Sequence, residues 1–197
     1  LIGLQINEPN LISFDMGGTT AKASLIRDGE IEITAEYEVG GSGSQNRWVT
    51  GTGHPIRVPV IDLAEVSAGG GSIAWVDPAG SLRVGPGSAG AEPGPVCYGQ
   101  GGTDFTITDA NLLLGRVSPG GLLGGRMELR HDLAEAAGKR IADEVGISDV
   151  NRLAEGAIQI AVTTMSGAIR AISIERGHDP RDLTLVAFGG AGSMHAI

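Results

Sequence analysis

The sequence is poor in cysteine, in clustered basic residues and in long apolar runs, and each shortage excludes a class of protein. Its single cysteine, Cys97, excludes an intrachain disulfide framework or a cysteine zinc site and is typical of a reducing cytoplasm. The net charge is −9 and no cluster of Lys and Arg occurs, which argues against nucleic acid as a partner. No uninterrupted apolar run reaches the roughly 18 residues of a membrane-spanning helix, and no signal peptide is recognisable. We therefore expect a cytoplasmic protein without a membrane partner.

The length allows a buried core and predicts one domain that carries an inserted region. The chain lacks an initiator Met and stops just after a glycine loop, so we expect it to be a piece of a longer polypeptide. The four histidines show no mutual spacing of metal ligands; they are His54, His131, His178 and His195.

Glycine, in contrast, is abundant. It accounts for 33 of the 197 residues, more than double the usual fraction of about 7%. The glycines do not recur with a fixed period, which excludes collagen and solenoid folds. They cluster in short blocks between apolar runs, and such blocks are typical of loops whose backbone takes unusual dihedral angles or approaches a ligand closely.

The first part of the chain predicts a β-meander over residues 11–39. Leu11–Phe14 is predicted to be a buried strand, residues 21–27 a second strand, and residues 31–39, which alternate strictly, a half-exposed antiparallel third strand. Residues 40–125 carry most of the glycine and proline and are expected to form the inserted region. The elements predicted within it are strands at 56–60, 72–76 and 81–84 and a helix near 109–114, capped by Thr108 or Asp109.

Residues 126–197 predict helices, a strand and a final glycine loop. The helices cover 132–145, ended by Gly146, and 150–176, ended by Gly177. A continuous apolar run, Leu183–Phe188, is predicted to be a buried strand. Each of two glycine loops would then follow a buried strand. Ligands of open α/β sheets bind beyond the carboxyl ends of the strands, so neighbouring strands would place both loops at one cleft.

The hexapeptide Asp15-Met16-Gly17-Gly18-Thr19-Thr20 is the first candidate site. Gly17 and Gly18 let the backbone fold closely around a phosphate, and the hydroxyls of Thr19 and Thr20 add donors. Asp15, at the end of the strand, could hold a water-bound Mg²⁺ or orient an attacking water molecule. The loop is not a Walker loop, because the Gly-Lys-Ser/Thr ending is missing. An ordinary hairpin turn is the alternative interpretation.

Other candidates carry weaker signals. The final loop could cradle an α-phosphate or adenosine through Gly189, Gly190 and Gly192, or it could be a plain strand-to-helix turn. The block Ser67–Ser72 could contact an anion or the substrate, or form a flexible hairpin; its candidate residues are Gly69, Gly70, Gly71 and Ser72. Asp62 could be a general base or an exposed carboxylate. Cys97 is interpreted as a buried structural thiol rather than a nucleophile.

Taken together and in order, the motifs resemble the hydantoinase A/5-oxoprolinase family over nearly the whole chain. The motifs that carry the resemblance are Phe14–Thr20, Ala68–Ala74, Val84–Gly99, Thr108–Asn111, Glu175–Arg181 and Ala187–Gly192.

The resemblance implies an α/β fold, namely the second ribonuclease-H-like domain of an actin-like ATPase, incomplete and with a Gly/Pro-rich inserted region. Within that plan the loop Asp15–Thr20 resembles the second phosphate motif, and Gly189–Gly192 resembles the adenosine motif. An N-terminal domain of the same polypeptide, with the other phosphate loop, would precede Leu1. The chain alone is therefore expected to have little or no ATPase activity.

The resemblance also implies ATP and Mg²⁺ as cofactors and the opening of a five-membered cyclic amide or imide, such as a hydantoin or 5-oxoproline. Phosphorylation would activate the ring carbonyl, and a hydantoinase B-type subunit is the implied partner. Two alternatives stay open: the ATP-binding subunit of a ketone carboxylase of the acetone type, and a nucleotide-binding module without catalysis.

Two positions depart from the family pattern. Relatives often continue the loop with Thr-Asp, where this chain has Ala21-Lys22, and Lys22 could contact phosphate or face solvent. Asp15 is therefore the only metal-linked candidate. Ser67, where glycine is frequent, is a smaller change.

Overall fold

The computed structural model describes residues 2–35, 37–39, 54–118 and 120–196. The strands are β1 Leu11–Met16, β2 Ala21–Arg27, β3 Glu30–Ile31, β4 Ile33–Thr34, β5 Tyr37–Val39, β6 His54–Ile56, β7 Val60–Ile61, β8 Leu63–Val66, β9 Ser72–Val76, β10 Leu82–Ser88 and β11 Thr184–Phe188. The helices are α1 Ile2–Ile6, α2 Ile107–Leu113, α3 His131–Val145 and α4 Val150–Ile172. Short 3-10 turns occupy Val96–Tyr98, Ile174–Arg176, Pro180–Asp182 and Gly192–Met194.

The chain divides into two compact units. Unit 1 comprises Leu1–Met16, Thr20–Val66 and Thr164–Ile197, and unit 2 comprises Gly17–Thr19 and Ser67–Thr163. The boundaries thus fall near residues 66 and 163, whereas the sequence suggested changes near residues 40 and 125.

Unit 1 is built on a mixed sheet in the order β11-β1-β2-β3, with β8 also paired to β2. β1, β2 and β3 are successively antiparallel, which confirms the first part of the predicted meander. The turn between β2 and β3 is Asp28-Gly29, whose φ angles of 51° and 81° match a tight hairpin turn. The side chains of β1 and β2 alternate between buried and partly exposed, so one face of the sheet supplies the core of this unit.

The predicted single strand over residues 31–39 is wrong. The segment forms β3, β4 and β5, which pair with β2, β7 and β6 respectively. The reason lies on the edge of β2: β3 pairs with Ile26 and Arg27, whereas β8 occupies the same strand over Ala21–Ser24. The side chains of Ile31 and Ile33 are consequently 51% and 67% exposed, although their spacing suggested a buried face.

Two other strand predictions also need correction. The single strand expected at 56–60 is wrong, because Ile56 ends β6, Val60 begins β7, and residues 57–59 lie between the two strands. The final strand, β11, was expected to be buried, but Leu185 and Phe188 are 38% and 46% exposed. β11 lies at the end of the strand order and pairs, within the described residues, with β1 alone.

Unit 2 contains the β9–β10 hairpin, α2 and α3. The predicted strand 72–76 is confirmed as β9. The strand predicted at 81–84 extends to Ser88. α3 ends as predicted at Gly146, which takes a left-handed conformation with φ 76°. A hydrophobic cluster of Cys97, Leu112, Leu129 and Ala134 forms part of the core of this unit.

The start of α2 differs from the prediction in its capping residue. The N-cap is Thr106, neither Thr108 nor Asp109, and Asp109 is the third helical residue of a capping box. The buried Asp109 carboxylate accepts hydrogen bonds from the backbone N–H of Thr106 at 2.8 Å and from its hydroxyl at 2.7 Å. It also accepts the N–H of Cys97 at 2.8 Å, so this one side chain joins α2 to the Gly/Pro-rich segment before it.

α4 and the turn that follows it are long and apolar enough to cross a membrane by length and composition alone. No uninterrupted apolar run of that length occurs in the helix, which contains polar and charged residues throughout. Its buried side chains recur at helical spacing at Leu153, Ala157, Ala161, Met165, Ala168 and Ile172. A stripe of this kind, with exposed residues between, is typical of a helix packed against a protein core. We therefore interpret α4 as a core helix.

The thiol of Cys97 is expected to be inert in the native protein. Its side chain is fully buried, and burial, aided by the negative charge of Asp109, raises the thiol pKa far above its ordinary value. The raised pKa leaves almost no thiolate at pH 8. A thiol-specific reagent should therefore label the native protein at a rate limited by unfolding, and label one equivalent at once in denaturant. Fast stoichiometric labelling of the native protein would contradict this assignment.

Candidate functional site

In unit 1, two of the candidate features, Asp15 and the turn Gly189–Gly192, lie where β1 and β11 end. The two strands are parallel neighbours, with Asp15 opposite Phe188 in the register. The sequence left open whether the strands before the two glycine loops are neighbours, and the structure shows that they are. Because parallel strands end at the same edge, Asp15 and the turn Gly189–Gly192 lie together.

The turn after β11 approaches the end of β1 so closely that it needs glycine. A Cβ on Gly189 would collide with the Asp15 carboxylate and lie 2.6 Å from the carbonyl oxygen of Met16. The φ angle of Gly189, +87°, is also one that L side chains rarely adopt. The N–H of Ala191 donates to the same Met16 carbonyl at 3.0 Å. Gly192 is buried against Met16, whereas a Cβ on Gly190 would meet nothing within 4 Å.

The Asp15 carboxylate is partly buried, and no described residue forms a hydrogen bond or ion pair with it. Among all the described residues, no group of three or more His, Cys, Asp or Glu side chains could hold a metal ion. Magnesium is commonly bound through one or two carboxylates, with water and phosphate oxygens as its other ligands. The single free carboxylate of Asp15 fits that kind of site and would not form a metal cage by itself.

In unit 2, the block Ser67–Ser72 supports the loop Gly17–Thr19. The N–H of Gly70 donates to the carbonyl of Gly17 at 3.0 Å, and that of Gly71 donates to the carbonyl of Gly18 at 2.6 Å. A Cβ on Gly69 would lie 2.5 Å from the N atom of Thr19. The two glycine blocks are therefore in backbone contact, which the sequence did not predict.

The backbone N–H groups of the supporting block already donate hydrogen bonds within unit 2. The N–H of Gly69 donates to the Ser72 hydroxyl at 2.8 Å, and Gly70 and Gly71 donate to the loop. These amides are not free for an anion. Substrate contact by Gly69, Gly70, Gly71 or Ser72 stays a prediction.

The loop itself keeps its donors. Its carbonyls at Gly17 and Gly18 accept from the supporting block, but no described acceptor receives the amides of Gly17, Gly18 or Thr19. Gly18 and Thr19 are exposed, and a Cβ on Gly18 would meet nothing within 4 Å. The loop thus combines a fixed backbone, unused N–H groups and open space at Gly18, which is the arrangement that an anion requires.

Ser88 is a polar neighbour of the loop that sequence reasoning missed. Its hydroxyl lies 3.4 Å from the Thr19 hydroxyl and accepts the N–H of Gly90 at 3.2 Å. The next residue, Ala89, donates to the carbonyl of Gly71 at 2.9 Å. The available signal was its place within the long motif Val84–Gly99 that helps to identify the family.

Two further candidates in unit 1 form ion pairs. Lys22 contacts the hydroxyl of Thr20 and the carboxylate of Glu65, so it does not simply face solvent. Asp62 is buried and paired with Arg176, so its interpretation as an exposed carboxylate is wrong. Roles of Lys22 in phosphate binding and of Asp62 as a general base stay predictions.

Replacement of Gly189 by alanine should destabilise the protein by about 3 kcal/mol, because a positive φ and an overlap with the backbone are penalised together. The matched replacement Gly190→Ala should change stability by less than about 1 kcal/mol, since its Cβ would enter open space. Chemical denaturation of both variants and of the wild type measures the difference. Equal stability of the two variants would show that the turn does not press on β1 as described.

Comparison with known proteins agrees with the motifs. A family model described as hydantoinase/oxoprolinase matches residues 2–197. An uncharacterised protein of Methanocaldococcus jannaschii is 55% identical over 192 residues, which are 98% of this chain and 28% of that protein. Caprolactamase subunit alpha of Pseudomonas jessenii is 43% identical over 200 residues, which are 99% of this chain and 27% of that subunit.

Solved structures match the fold over the whole chain. Nucleotide-free acetone carboxylase superposes with a TM-score of 0.85 at 29% identity, covering 99% of this chain and 26% of that chain. The ATP-dependent caprolactamase of Pseudomonas jessenii superposes with a TM-score of 0.79 and is covered to 26%. The chain thus spans about a quarter of the length of these relatives. The α/β fold and the relationship expected from the motifs are confirmed, and the chain belongs to the hydantoinase/oxoprolinase family.

Proposed function

We propose that this chain is the phosphate-binding part of an ATP-dependent enzyme that opens a five-membered cyclic amide, such as a hydantoin or 5-oxoproline. The observation that carries the proposal is the loop Gly17–Thr19, whose carbonyls are occupied by Gly70 and Gly71 while its amides have no described acceptor. ATP use is supported by two similar structures, those of an ATP-dependent caprolactamase and of an enzyme of ATP-dependent acetone carboxylation.

The residues of the loop fit a phosphate group. Three successive amides, of Gly17, Gly18 and Thr19, can donate to phosphate oxygens, and the missing side chain at Gly18 leaves room for them. No cluster of basic side chains is required, because backbone amides supply the local positive potential. This explains how a chain with a net charge of −9 can bind a polyanion.

In unit 1, Asp15 and the turn after β11 have separate tasks in the proposal. Asp15 would hold a Mg²⁺ ion through water or orient the attacking water, because its carboxylate has no described protein partner. The turn Gly189–Gly192 would accommodate the adenosine or the α-phosphate. Bound ATP would supply its γ-phosphoryl group to the oxygen of the amide carbonyl, with ADP as the leaving group, and this would make the carbonyl carbon a better electrophile. The loop donors then stabilise negative charge that develops on phosphate oxygens during transfer.

The proposed architecture follows the same division. We propose that unit 1 is the ribonuclease-H-like part of an actin-like ATPase and that unit 2 is largely its Gly/Pro-rich inserted region. The antiparallel meander of unit 1, joined to the parallel strand β11, supports this. A preceding domain of the same polypeptide and a hydantoinase B-type subunit belong to the proposal as well. The name of the caprolactamase relative, a subunit alpha, supports the need for a partner subunit.

A ketone carboxylase is the second candidate function. Its specific support is the TM-score of 0.85 with acetone carboxylase over 99% of this chain. Both candidate reactions would use ATP, so the loop would bind phosphate in each.

The deciding experiment supplies the complete polypeptide, with any subunit that accompanies it, with ATP, Mg²⁺ and single substrates. The panel comprises hydantoin, 5-oxoproline, caprolactam, and acetone with bicarbonate. Substrate-dependent ADP release is expected with a five-membered ring. Release with acetone and bicarbonate alone would favour the carboxylase, and ATP binding without turnover on any substrate would favour a binding module.

Asp15→Asn should lower this ADP release by at least about 100-fold, a loss typical of removing a group that acts on the reacting atoms. Asp28→Asn is the matched control: it makes the same change of charge in an exposed hairpin turn, and Asn tolerates the left-handed conformation found there. It should keep wild-type activity. Equal activity of the Asp15→Asn variant would remove Asp15 from the mechanism.

Gly18→Ala tests phosphate binding without disturbing the fold. An alanine Cβ at this position meets no protein atom within 4 Å, so the unfolding transition should stay within about 1 kcal/mol of the wild type. Binding of Mg-ATP should weaken about tenfold or more, corresponding to about 1.4 kcal/mol of lost contact with phosphate. Gly167→Ala, which also enters open space, serves as the control for binding. Unchanged affinity in Gly18→Ala would contradict close approach of a ligand to the loop.

A further inference from the structure

The ammonium group of Lys22 is held between two oxygen atoms of the protein. Its Nζ atom lies 2.8 Å from the hydroxyl oxygen of Thr20 and 3.2 Å from a carboxylate oxygen of Glu65. The Lys22–Glu65 pair is set by strand pairing, because the two residues face each other in the register of β2 and β8. All three residues belong to unit 1.

The chemistry of the two groups fixes the direction of the hydrogen bond between Lys22 and Thr20. An ammonium group has three N–H donors and no lone pair, so the Thr20 hydroxyl must be the acceptor. The hydroxyl proton then points away from Lys22. No described residue accepts that proton, so Thr20 keeps a donor whose direction Lys22 sets and which the described part of the chain does not use.

A hydroxyl without such a neighbour rotates freely and can present either its proton or a lone pair to a ligand. A lone pair would repel a phosphate oxygen, whereas a proton would bind it. Since a hydrogen bond from Lys22 occupies one lone pair, the donor state of Thr20 is favoured before a ligand arrives. Such preorganisation lowers the cost of binding.

We infer that Lys22 is a positioning residue, which orients the Thr20 hydroxyl as a donor to the bound phosphate and does not contact the phosphate itself. The inference rests on the proposed phosphate-binding function of the loop. The salt bridge to Glu65 supports it, because the carboxylate occupies a second donor of Lys22 and compensates its charge. Glu65 thereby holds the ammonium group at Thr20.

A double-mutant cycle on the complete polypeptide tests this inference. Binding of a non-hydrolysable ATP analogue with Mg²⁺ is measured by calorimetry for Lys22→Met, Thr20→Val and the double variant. Each single variant should weaken binding about tenfold, as expected for loss of one directed hydrogen bond to a charged group. The double variant should also be weakened about tenfold, because Lys22 has nothing to position once the hydroxyl is gone.

Additive losses, about 100-fold in the double variant, would mean that Lys22 contacts the phosphate directly and would overturn the inference. In that case the proposed function would stand, since binding itself persists. Failure of the wild-type protein to bind the analogue would instead overturn both the function and the inference.

Two conservative variants separate positioning from a general effect on structure. Thr20→Ser keeps the hydroxyl, so Lys22→Met should still weaken binding about tenfold in that background. Glu65→Gln keeps an acceptor for Lys22 but removes the negative charge. It should leave affinity within about twofold if Lys22 acts through Thr20, and tighten it severalfold at low salt if the lysine charge attracts phosphate directly. The thermal unfolding midpoints of these variants should stay close to that of the wild type, because the side chains of Lys22 and Glu65 are 42% and 32% exposed and a partly exposed ion pair adds little to stability.

Discussion

The close parallel pairing of β1 and β11 is the constraint on which unit 1 depends. It puts Asp15 opposite Phe188, so the chain that leaves β11 must turn within van der Waals reach of the Asp15 carboxylate and the Met16 carbonyl. Only glycine can make that turn at Gly189. The geometry that makes the turn sterically demanding also keeps Asp15 at the sheet edge without a described partner. Packing of the backbone and availability of the carboxylate are therefore two results of one strand pairing.

In unit 2, the loop Gly17–Thr19 is fixed by hydrogen bonds to its carbonyl oxygens and not by bonds from its N–H groups. A glycine loop left to itself is flexible, and flexibility would add an entropic cost to ligand binding. Here the carbonyls of Gly17 and Gly18 are bound by the amides of Gly70 and Gly71. The loop is thus held through its acceptors, and its donors have no acceptor among the described residues. This separation would not be possible if Gly69 carried a side chain, because its Cβ would strike the loop backbone.

The sequence predicted elements whose bounds are set by residues close along the chain. It missed the elements and ion pairs that depend on pairing between distant segments. The end of α3 at Gly146 and the extent of β9 follow from residues close in sequence, and both were predicted. The division of the 31–39 segment depends on β8, which takes most of the available edge of β2 and lies about 30 residues away along the chain. The Asp62–Arg176 pair joins residues 114 positions apart. No periodicity in a window of sequence contains that information.

Sequence composition also could not tell which glycines of the candidate site contact a ligand. Two glycine-rich motifs supplied candidates for ligand contact on the basis of composition alone. Their glycines are Gly17, Gly18, Gly69, Gly70 and Gly71. The structure distinguishes these glycines by the space beside each Cα atom and by the hydrogen bonds of each amide. Gly69 is required because its neighbour is protein backbone, whereas Gly18 has only open space beside it. Open space alone does not mark a ligand contact, since Gly167 has it as well. Gly18 is a candidate because its open space coincides with amides that have no described acceptor.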